Sequence, residues 1–152
     1  MISVFLDASV LFAAVYSSTG SAHDLLRLAL RGNVEVFVSD DVLEEVERNL
    51  SRKAPEALAT FKRFMSLADP EIITNLTKEE VWAVEAYVVQ KDAPIVAAAI
   101  RAQVDYLVTY DRKHLLEPPE VAQKSGLQIV TPDVVVHVIQ DQDTEDGEVM
   151  SI

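Results

Sequence analysis

The sequence has no cysteine, and this absence excludes several kinds of functional site at once. Disulfide bonds, thiolate metal centres and thiol nucleophiles all require cysteine, so any metal must be bound by oxygen or imidazole ligands. No apolar run reaches the length that spans a membrane, and the segment before Asp7 is too short for a signal peptide. We therefore expect a cytoplasmic protein that does not associate with membranes.

Glycine and proline are also scarce, with four and six residues among 152, and no internal repeat is visible. Hydrophobic residues make up 49% of the chain, enough to bury the core of one ordinary domain, while the length is too short for two. We assign this domain to residues 1–140 and predict that residues 141–152 form a disordered tail. The tail contains no lysine or arginine but five acids: Asp141, Asp143, Glu145, Asp146 and Glu148.

Positive charge is the third scarcity, because 13 lysines and arginines face 25 aspartates and glutamates, for a net charge of −12. A negatively charged protein repels polyanions, so nonspecific binding to nucleic acid is disfavoured. The excess would be partly cancelled if several carboxylates shared a bound cation. Basic side chains that could still form a local rim are Arg48, Arg52, Lys53, Lys91, Arg112 and Lys113.

Short apolar runs alternate with longer amphipathic segments along the chain. The runs predict strands at 2–6, 34–38, 106–109 and 127–131, with residues 72–73 as a further strand or a connector. Capping residues and apolar periodicity predict helices that begin near Ser21, Ser39, Pro55, Thr77, Asp92 and Pro132. This alternation predicts an α/β fold, a three-layer α/β/α sandwich with a central parallel sheet and helices on both faces.

Two aspartates come directly after predicted strands. Asp7 follows the first buried run, and Asp111 lies just past the run at 106–109. Ligands of parallel sheets bind outside the carboxyl ends of the strands, so both acids are expected in that crevice. Asp111 can also be read as a turn residue. Asp7 has no base nearby in sequence, and its charge is costly there unless it is paired, hydrogen-bonded or metal-bound.

Two further acids lie near predicted helix starts and have competing structural explanations. Asp92 precedes a proline by two residues and is an acceptable helix N-cap. Glu45 can be read simply as part of the solvated face of its helix. Glu45 and Glu47 flank the apolar stripe of that helix on opposite sides, so the helical period does not choose between them. Strand-end and helix-start carboxylates converge when the strands lie side by side, and such a cluster requires a cation or protons. Ligation by oxygen alone suits Mg²⁺ or Mn²⁺.

Four segments, in their order and spacing, resemble the PIN-domain family, which includes VapC-type toxins of toxin–antitoxin pairs and other RNA nucleases. Residues 4–11 (VFLDASVL) resemble the opening strand with the first acid, and residues 39–46 (SDDVLEEV) resemble the helix of the second acid. Residues 91–99 (KDAPIVAAA) and 105–111 (DYLVTYD) resemble the segments of the third and fourth acids. Residues 129–132 fit the closing strand and helix, so the resemblance covers roughly residues 2–140.

The resemblance implies a catalytic and metal-binding role for four acids. Asp7, Asp92 and Asp111 would be the core metal ligands, directly or through water. Glu45, chosen over its neighbours by the family register, would complete the cluster or orient the attacking water. The cofactor implied is Mg²⁺ or Mn²⁺.

Five further residues receive weaker assignments. Ser9 stands where many relatives carry asparagine, and it could hydrogen-bond Asp7 or the scissile phosphate. Thr109 would support the fourth acid or contact substrate, unless it is an ordinary β-branched strand residue. Lys113 stands where many relatives carry a further acid, which argues against a second metal. Asp105 is interpreted as structural, with a secondary role as the alternative, and His114 as an exposed bystander, with contact to phosphate as the alternative.

The activity implied by the resemblance is that of a Mg²⁺- or Mn²⁺-dependent endoribonuclease. Water would attack a phosphodiester of single-stranded RNA in line and leave a 5′-phosphate on the product. The implied partners are the RNA substrate, an antitoxin protein and a second copy of the chain. The alternative is a PIN-fold module that binds protein or RNA with weak or no catalysis, because Ser9 and Lys113 depart from the family pattern.

Overall fold

The computed structural model describes residues 1–150, and the side chains of residues 1–143. Five parallel strands form one sheet in the order β3-β2-β1-β4-β5. The strands are β1 (Ser3–Leu6), β2 (Glu35–Ser39), β3 (Glu71–Ile73), β4 (Tyr106–Val108) and β5 (Gln128–Val130). The four strands predicted outright are confirmed to within one residue, and residues 72–73 belong to an edge strand.

Helices fill the connections between the strands. In the described part of the chain they are α1 (Ala8–Tyr16), α2 (Ser21–Leu30), α3 (Asp40–Lys53), α4 (Leu58–Ala68), α5 (Lys78–Glu85), α6 (Ala93–Ala102), α7 (Pro119–Ser125) and α8 (Pro132–Met150). A 3₁₀ turn (Pro55–Ala57) precedes α4, and a π-helical turn (Arg112–Leu116) follows β4. The sequence did not predict α1, α7 or the π-helical turn.

The chain direction reverses at the centre of the sheet. From β1 the chain passes to β2 and β3 on one side, then returns across the sheet to β4 and β5 on the other. Right-handed crossovers place α1 to α4 on one face and α5 to α7 on the opposite face. The contacts agree, since α2 packs against α1 and α8, and α5 packs against α6. This is the predicted three-layer sandwich, and the gap between β1 and β4 is its topological switch point.

The two central strands form the core of the domain. Phe5 of β1 and Leu107 of β4 are fully buried neighbours in the sheet. Burying a side chain of this size contributes roughly 1.5–3 kcal/mol relative to leaving it exposed. The residues that immediately follow these strands are therefore attached to the buried centre of the sheet.

Local capping signals are confirmed at two helices and wrong at a third. Thr77 caps α5 as predicted and forms a capping box with Glu80, with hydrogen bonds of 3.1 and 2.9 Å. Ser39 caps α3 by accepting a hydrogen bond from the backbone N–H of Val42 at 3.2 Å. Ser21 is not the cap of α2, because Gly20 occupies that position with φ of 98°, a backbone conformation that favours glycine.

The acidic segment 141–152 is only partly described. The backbone of α8 continues to Met150 with no break at Gln140, while residues 151–152 and the side chains of residues 144–150 lie outside the described part. The disorder expected for this tail therefore stays a prediction. Among the described residues, no helix combines the length and apolar character that crossing a bilayer requires.

Candidate metal centre

A cleft of about 540 Å³ opens at the carboxyl ends of β1 and β4. This is the switch point of the sheet, where open α/β folds bind ligands. All four predicted acids line it, and so does Ser9. The full lining is Asp7, Ala8, Ser9, Phe12, Glu45, Asn49, Lys53, Lys91, Asp92, Ile95, Tyr110 and Asp111.

Asp7 lies at the base of the cleft, between the end of β1 and the start of α1. Its side chain is only 8% exposed. One carboxylate oxygen accepts a hydrogen bond from the backbone N–H of Ala8 at 2.7 Å, so Asp7 caps α1. Burial raises the pKa of Asp7, and this effect outweighs the hydrogen bonds that lower it. Among these hydrogen bonds, the one from Thr109 lowers the pKa most. Among the described residues, no lysine or arginine forms an ion pair with this buried carboxyl group.

Two hydroxyl groups orient the second oxygen of Asp7. Thr109 Oγ1 donates to Asp7 Oδ2 at 2.7 Å and accepts from the backbone N–H of Asp111 at 3.0 Å. Ser9 Oγ donates to the same oxygen at 3.3 Å and accepts from the backbone N–H of Tyr110 at 3.2 Å. Thr109 is fully buried. It is therefore a bridge between the β1 and β4 acids and more than an ordinary strand residue.

Asp92 occupies the N-cap position of α6 but does not cap the helix. Its side chain accepts no capping hydrogen bond, and Oδ2 is buried without a hydrogen-bond partner among the described residues. Burial raises the pKa of Asp92, and the charge of Asp111 raises it further. The capping explanation is therefore wrong for this side chain. A buried unsatisfied carboxylate oxygen is rare in folded proteins and calls for another partner.

Glu45 reaches the cleft from α3, on the side facing Asp7 and Asp92. It is half-buried, whereas Glu44 and Glu47 are exposed and do not line the cleft. Burial raises the pKa of Glu45, and the charge of Asp7 is the next largest cause. The structure thus selects Glu45 among the acids of its helix, a choice that periodicity left open.

His114 corrects an expectation, because it is not an exposed bystander. Its ring Nδ1 lies 3.3 Å from Asp92 Oδ2 and 3.4 Å from Asp111 Oδ2, with 27% of the side chain exposed. The π-helical turn after β4 brings the His114 ring close to these two carboxylates. Asp111 Oδ1 stabilises the turn by accepting a hydrogen bond from the backbone N–H of His114 at 3.0 Å. Sequence spacing alone gives no sign of this turn, since π-helical segments have no recognisable sequence period.

Asp92, Asp111 and His114 offer three ligand atoms that all lie within 4.8 Å of one another. Two carboxylates about 4 Å apart repel by roughly 4 kcal/mol at an effective dielectric of about 20. Among the described residues, no lysine or arginine forms an ion pair with a cleft carboxylate. Carboxylate donors and an orphaned Asp92 oxygen fit a hard divalent cation such as Mg²⁺ or Mn²⁺.

Of the six basic side chains predicted to form a rim, two line the cleft. Lys53 and Lys91 line it, together with Asn49. Arg48 lies near enough to lower the pKa of Glu45. Lys113 is exposed and does not line the cleft.

The fold and the cleft define a class of protein: a parallel α/β domain that clusters acids at its switch point. The family model of the PIN domain matches residues 3–113, which is more than half of the chain. The chain therefore belongs to the PIN-domain family, as its sequence segments indicated.

Solved structures share this fold, and two of them illustrate the likeness. VapBC2 from Rickettsia felis, crystallised bound to a DNA fragment from its promoter, matches with a TM-score of 0.60 and 19% identity, covering 84% of this chain and 97% of that chain. PAE2754 from Pyrobaculum aerophilum matches with a TM-score of 0.62 and 20% identity, covering 92% and 96%. At these identities the likeness shows the fold alone. Among curated protein sequences, none matches this chain significantly.

Proposed function

We propose that this PIN-domain protein is a Mg²⁺- or Mn²⁺-dependent endoribonuclease that hydrolyses phosphodiester bonds of single-stranded RNA. The observation that carries the proposal is the convergence of four carboxylates at the switch point, one of them with a buried oxygen that has no hydrogen-bond partner among the described residues. Membership of the PIN-domain family supports the nuclease class. The choice of RNA rests on the family resemblance, and the acidic composition of the chain is the main argument against it.

The acids divide into two groups by position. Asp7, Asp92 and Asp111 lie at or beside the strand ends and would hold the cation, directly or through water. When bound, the cation would supply Lewis-acid stabilisation of the negative charge that develops on the phosphoryl oxygens. Thr109 and Ser9 position Asp7 through its Oδ2 atom. They keep this carboxylate in one orientation without neutralising it.

Glu45 would accept the proton of the attacking water. It lines the cleft from α3, opposite the strand-end acids, and burial raises its pKa above the ordinary glutamate range. A carboxylate with a raised pKa is a stronger base near neutral pH, because general-base efficiency increases as the pKa approaches the working pH. Removing such a group lowers rates by roughly 10²–10⁴-fold.

Lys53, Lys91 and Asn49 would guide the phosphate backbone into the cleft. They line its rim, so their positive charge and amide group lie where a polyanion must pass. Backbone contacts of this kind supply sequence-independent affinity that falls with salt. A strand bound here would place one phosphate over the four acids.

The biological setting proposed is that of a toxin in a toxin–antitoxin pair. The similar Rickettsia felis protein is part of a complex named VapBC2. For the present chain we propose an antitoxin protein as partner, a homodimer as assembly and the cytoplasm as location. Co-expression of the chain with the product of an adjacent small gene, followed by co-purification, tests the partner; separate elution of the two proteins would contradict it.

Cleavage of labelled RNA tests the proposed activity. Purified protein is incubated with single-stranded RNA, duplex RNA and single-stranded DNA, in Mg²⁺, in Mn²⁺ and in EDTA. We expect metal-dependent products with 5′-phosphates from single-stranded RNA. Asp7→Asn and Glu45→Gln should each lower the rate by at least about 100-fold.

Glu47→Gln is the matched control, because Glu47 lies on the same helix as Glu45 and is exposed outside the cleft. Its rate should equal that of the unmodified protein. Equal rates in the Glu45 and Glu47 variants would remove the proton-accepting role from Glu45. RNA that binds and stays intact under all metal conditions would favour the alternative of a binding module.

A further inference from the structure

His114 is a polar residue beside two of the cleft acids that the family resemblance does not assign to the metal site. We propose that His114 supplies a nitrogen ligand to the divalent cation held by Asp92 and Asp111. The inference rests on the metal centre of the proposed function and specifies its ligand set. It makes the centre a mixed nitrogen and oxygen site, where the four acids alone would give oxygen only.

The distances between the three side chains fit a shared ion. Nitrogen and oxygen ligands bind divalent cations at about 2.0–2.2 Å, so neighbouring ligand atoms of one ion lie roughly 3–3.5 Å apart. His114 Nδ1 lies 3.3 Å from Asp92 Oδ2 and 3.4 Å from Asp111 Oδ2. The Asp92 oxygen has no hydrogen-bond partner among the described residues, although it faces this nitrogen. An ion between these atoms would satisfy it.

The backbone holds the imidazole in place before any ion binds. Asp111 uses Oδ1 to accept the backbone N–H of His114 at 3.0 Å, which leaves Oδ2 free to face the ring. The next residue, Leu115, is 2% exposed and anchors the π-helical turn in the core. Single π-helical turns recur at functional sites. His114 is therefore held by a turn that is hydrogen-bonded to Asp111 and packed in the core through Leu115.

A nitrogen ligand has a consequence for metal preference. Affinity for a site with nitrogen donors rises along the first-row ions from Mn²⁺ to Co²⁺, while Mg²⁺ prefers oxygen ligands and keeps several waters. We therefore expect that His114 strengthens binding of Mn²⁺ and Co²⁺ much more than binding of Mg²⁺. An imidazole that merely pairs with the two carboxylates would instead be displaced by any of the three ions.

Calorimetric titration of the purified full chain with MnCl₂, CoCl₂ and MgCl₂ measures this preference. His114→Phe keeps the ring volume and removes both nitrogens, and its fold is checked by thermal melting. The matched control is His137→Phe, because His137 is 78% exposed on α8. In His114→Phe we expect Mn²⁺ and Co²⁺ affinity to fall at least about tenfold, with a smaller change for Mg²⁺. Equal losses for all three ions would overturn the nitrogen-ligand role.

Pulsed electron paramagnetic resonance of the Mn²⁺-loaded protein provides a readout that does not depend on activity. A directly bound imidazole gives a coupling between the ion and ¹⁴N, which should vanish in His114→Phe and persist in His137→Phe. Bound Mn²⁺ without this coupling would overturn the inference and leave the metal centre standing. Failure of the protein to bind Mn²⁺ at all would remove the metal centre and the inference together.

A second inference rests on the aromatic side chains beside the cleft. Phe12 lines the cleft and stacks on Tyr16, with ring centroids 5.4 Å apart and an interplanar angle of 14°. Lys53 Nζ lies 5.6 Å from the centroid of the Phe12 ring, and Tyr16 is 62% exposed. We infer that Phe12, Tyr16 and Lys53 form a subsite beside the cleft for an unpaired nucleobase of the bound strand. This inference also rests on the proposed function.

The subsite combines two features of single-strand binding. Bases of a single strand stack on exposed aromatic rings, while lysines bind the phosphates between them. Helix α1 begins directly after Asp7, so Tyr16 lies about 13 Å along the helix from the acids. A base in a duplex is already stacked and cannot use this ring. The subsite would therefore select unpaired substrate.

Fluorescence anisotropy with a nuclease-resistant phosphorothioate RNA oligonucleotide tests this subsite. An abasic oligonucleotide of equal length and charge shows how much of the binding depends on the bases. Tyr16→Ala should weaken binding of the base-containing strand by roughly tenfold and leave binding of the abasic strand unchanged. Tyr16→Phe, which keeps the ring, should bind like the unmodified protein. Trp82→Ala is the matched control, because Trp82 is 61% exposed on α5 and outside the cleft.

Two results would overturn the subsite. One is equal affinity of the Tyr16→Ala and Trp82→Ala variants for the base-containing strand. The other is an equal loss of affinity for the abasic strand in Tyr16→Ala, which would indicate a general distortion of α1. If the unmodified protein binds neither strand, the proposed function fails as well.

Discussion

Two clusters of charged residues in this molecule are in opposite states. Glu80 accepts hydrogen bonds from Arg101 and from the backbone of Thr77, and the pKa of Glu80 falls to about 2. Arg101 also donates to the backbone carbonyl of Thr74 at 2.6 Å and to that of Asn75 at 3.0 Å. The charges of Glu80 and Arg101 therefore both have partners within the chain.

The cleft shows the reverse pattern. Burial raises the pKa values of Asp7, Glu45 and Asp92, and the charges of Asp7, Asp92 and Asp111 raise the pKa values of neighbouring acids. The same chain that supplies an arginine to Glu80 supplies no lysine or arginine ion pair here, within the described residues. The difference indicates that the cleft carboxylates are kept for a cation that comes from outside the chain.

Adding a divalent cation should produce the largest difference in stability between changes in the cleft and changes in the Glu80–Arg101 cluster. A ligand at 100 times its Kd stabilises the native state by about 2.7 kcal/mol, so Mn²⁺ should raise the melting temperature by roughly 5–10 °C. Asp92→Asn should abolish most of this shift, whereas Glu80→Gln should retain it. Differential scanning calorimetry with and without Mn²⁺ measures the shifts. A shift of the same size in the Asp92 variant would place the ion elsewhere.

Removing the Thr109 hydroxyl should have the next largest effect. Thr109→Val keeps the side-chain shape but leaves Asp7 Oδ2 with one donor fewer and the Asp111 N–H without its acceptor. Loss of a buried hydrogen-bond partner costs about 1–3 kcal/mol, which urea denaturation measures. Thr60→Val on the exposed surface of α4 is the control. If the two variants lose equal stability, Thr109 is not the bridge between the acids.

Neutralising Asp92 should have a moderate effect on stability. We expect an increase, in contrast to the loss expected for Thr109→Val. Because its folded-state pKa is raised, the charged form destabilises the fold above that pKa, and this cost disappears as the pH falls below about 4. Asp92→Asn in metal-free buffer should therefore be more stable by roughly 0.5–2 kcal/mol at pH 7. Denaturation series at several pH values should show the gap closing in acid. A variant less stable than the unmodified protein at pH 7 would contradict the picture of an unsatisfied charge.

Breaking the satisfied cluster should have the smallest effect. Arg101→Met removes a guanidinium whose side chain is 33% exposed, so we expect a modest decrease in melting temperature and no change in Mn²⁺ affinity. The folded-state pKa of Glu80 is lowered, so its contribution is present above the ordinary carboxyl pKa and is lost as the pH falls towards about 2. Melting curves between pH 2 and 7 should show the two proteins converging in acid. A change in metal affinity would show that the two clusters are coupled.

The sequence predicted the parts of the site that depend on one strand end. Asp7 and Asp111 follow buried runs, and the carboxyl ends of parallel strands converge whatever the rest of the fold does. The role of Thr109 could not be read this way, because its partner Asp7 lies 102 positions away and only the β1–β4 pairing brings them together. A short-range pattern does not contain that information.

The packing of α3 and the turn after β4 place Glu45 and His114 at the site, and sequence periodicity does not indicate either position. Glu45 and Glu47 are equivalent on a helical wheel, and only the packing of α3 shows which one reaches the cleft. His114 enters through a π-helical turn that has no sequence period. The sequence did not predict helix α1, because its residues are apolar on almost every side and give no amphipathic stripe.

The most direct test of the metal centre is a crystal structure of the protein soaked in MnCl₂, with anomalous scattering measured at the manganese edge. The account predicts one strong anomalous peak in the cleft, within bonding distance of Asp92 and Asp111, and its loss in Asp111→Asn. No peak in the cleft, or a peak confined to surface acids away from the switch point, would contradict it.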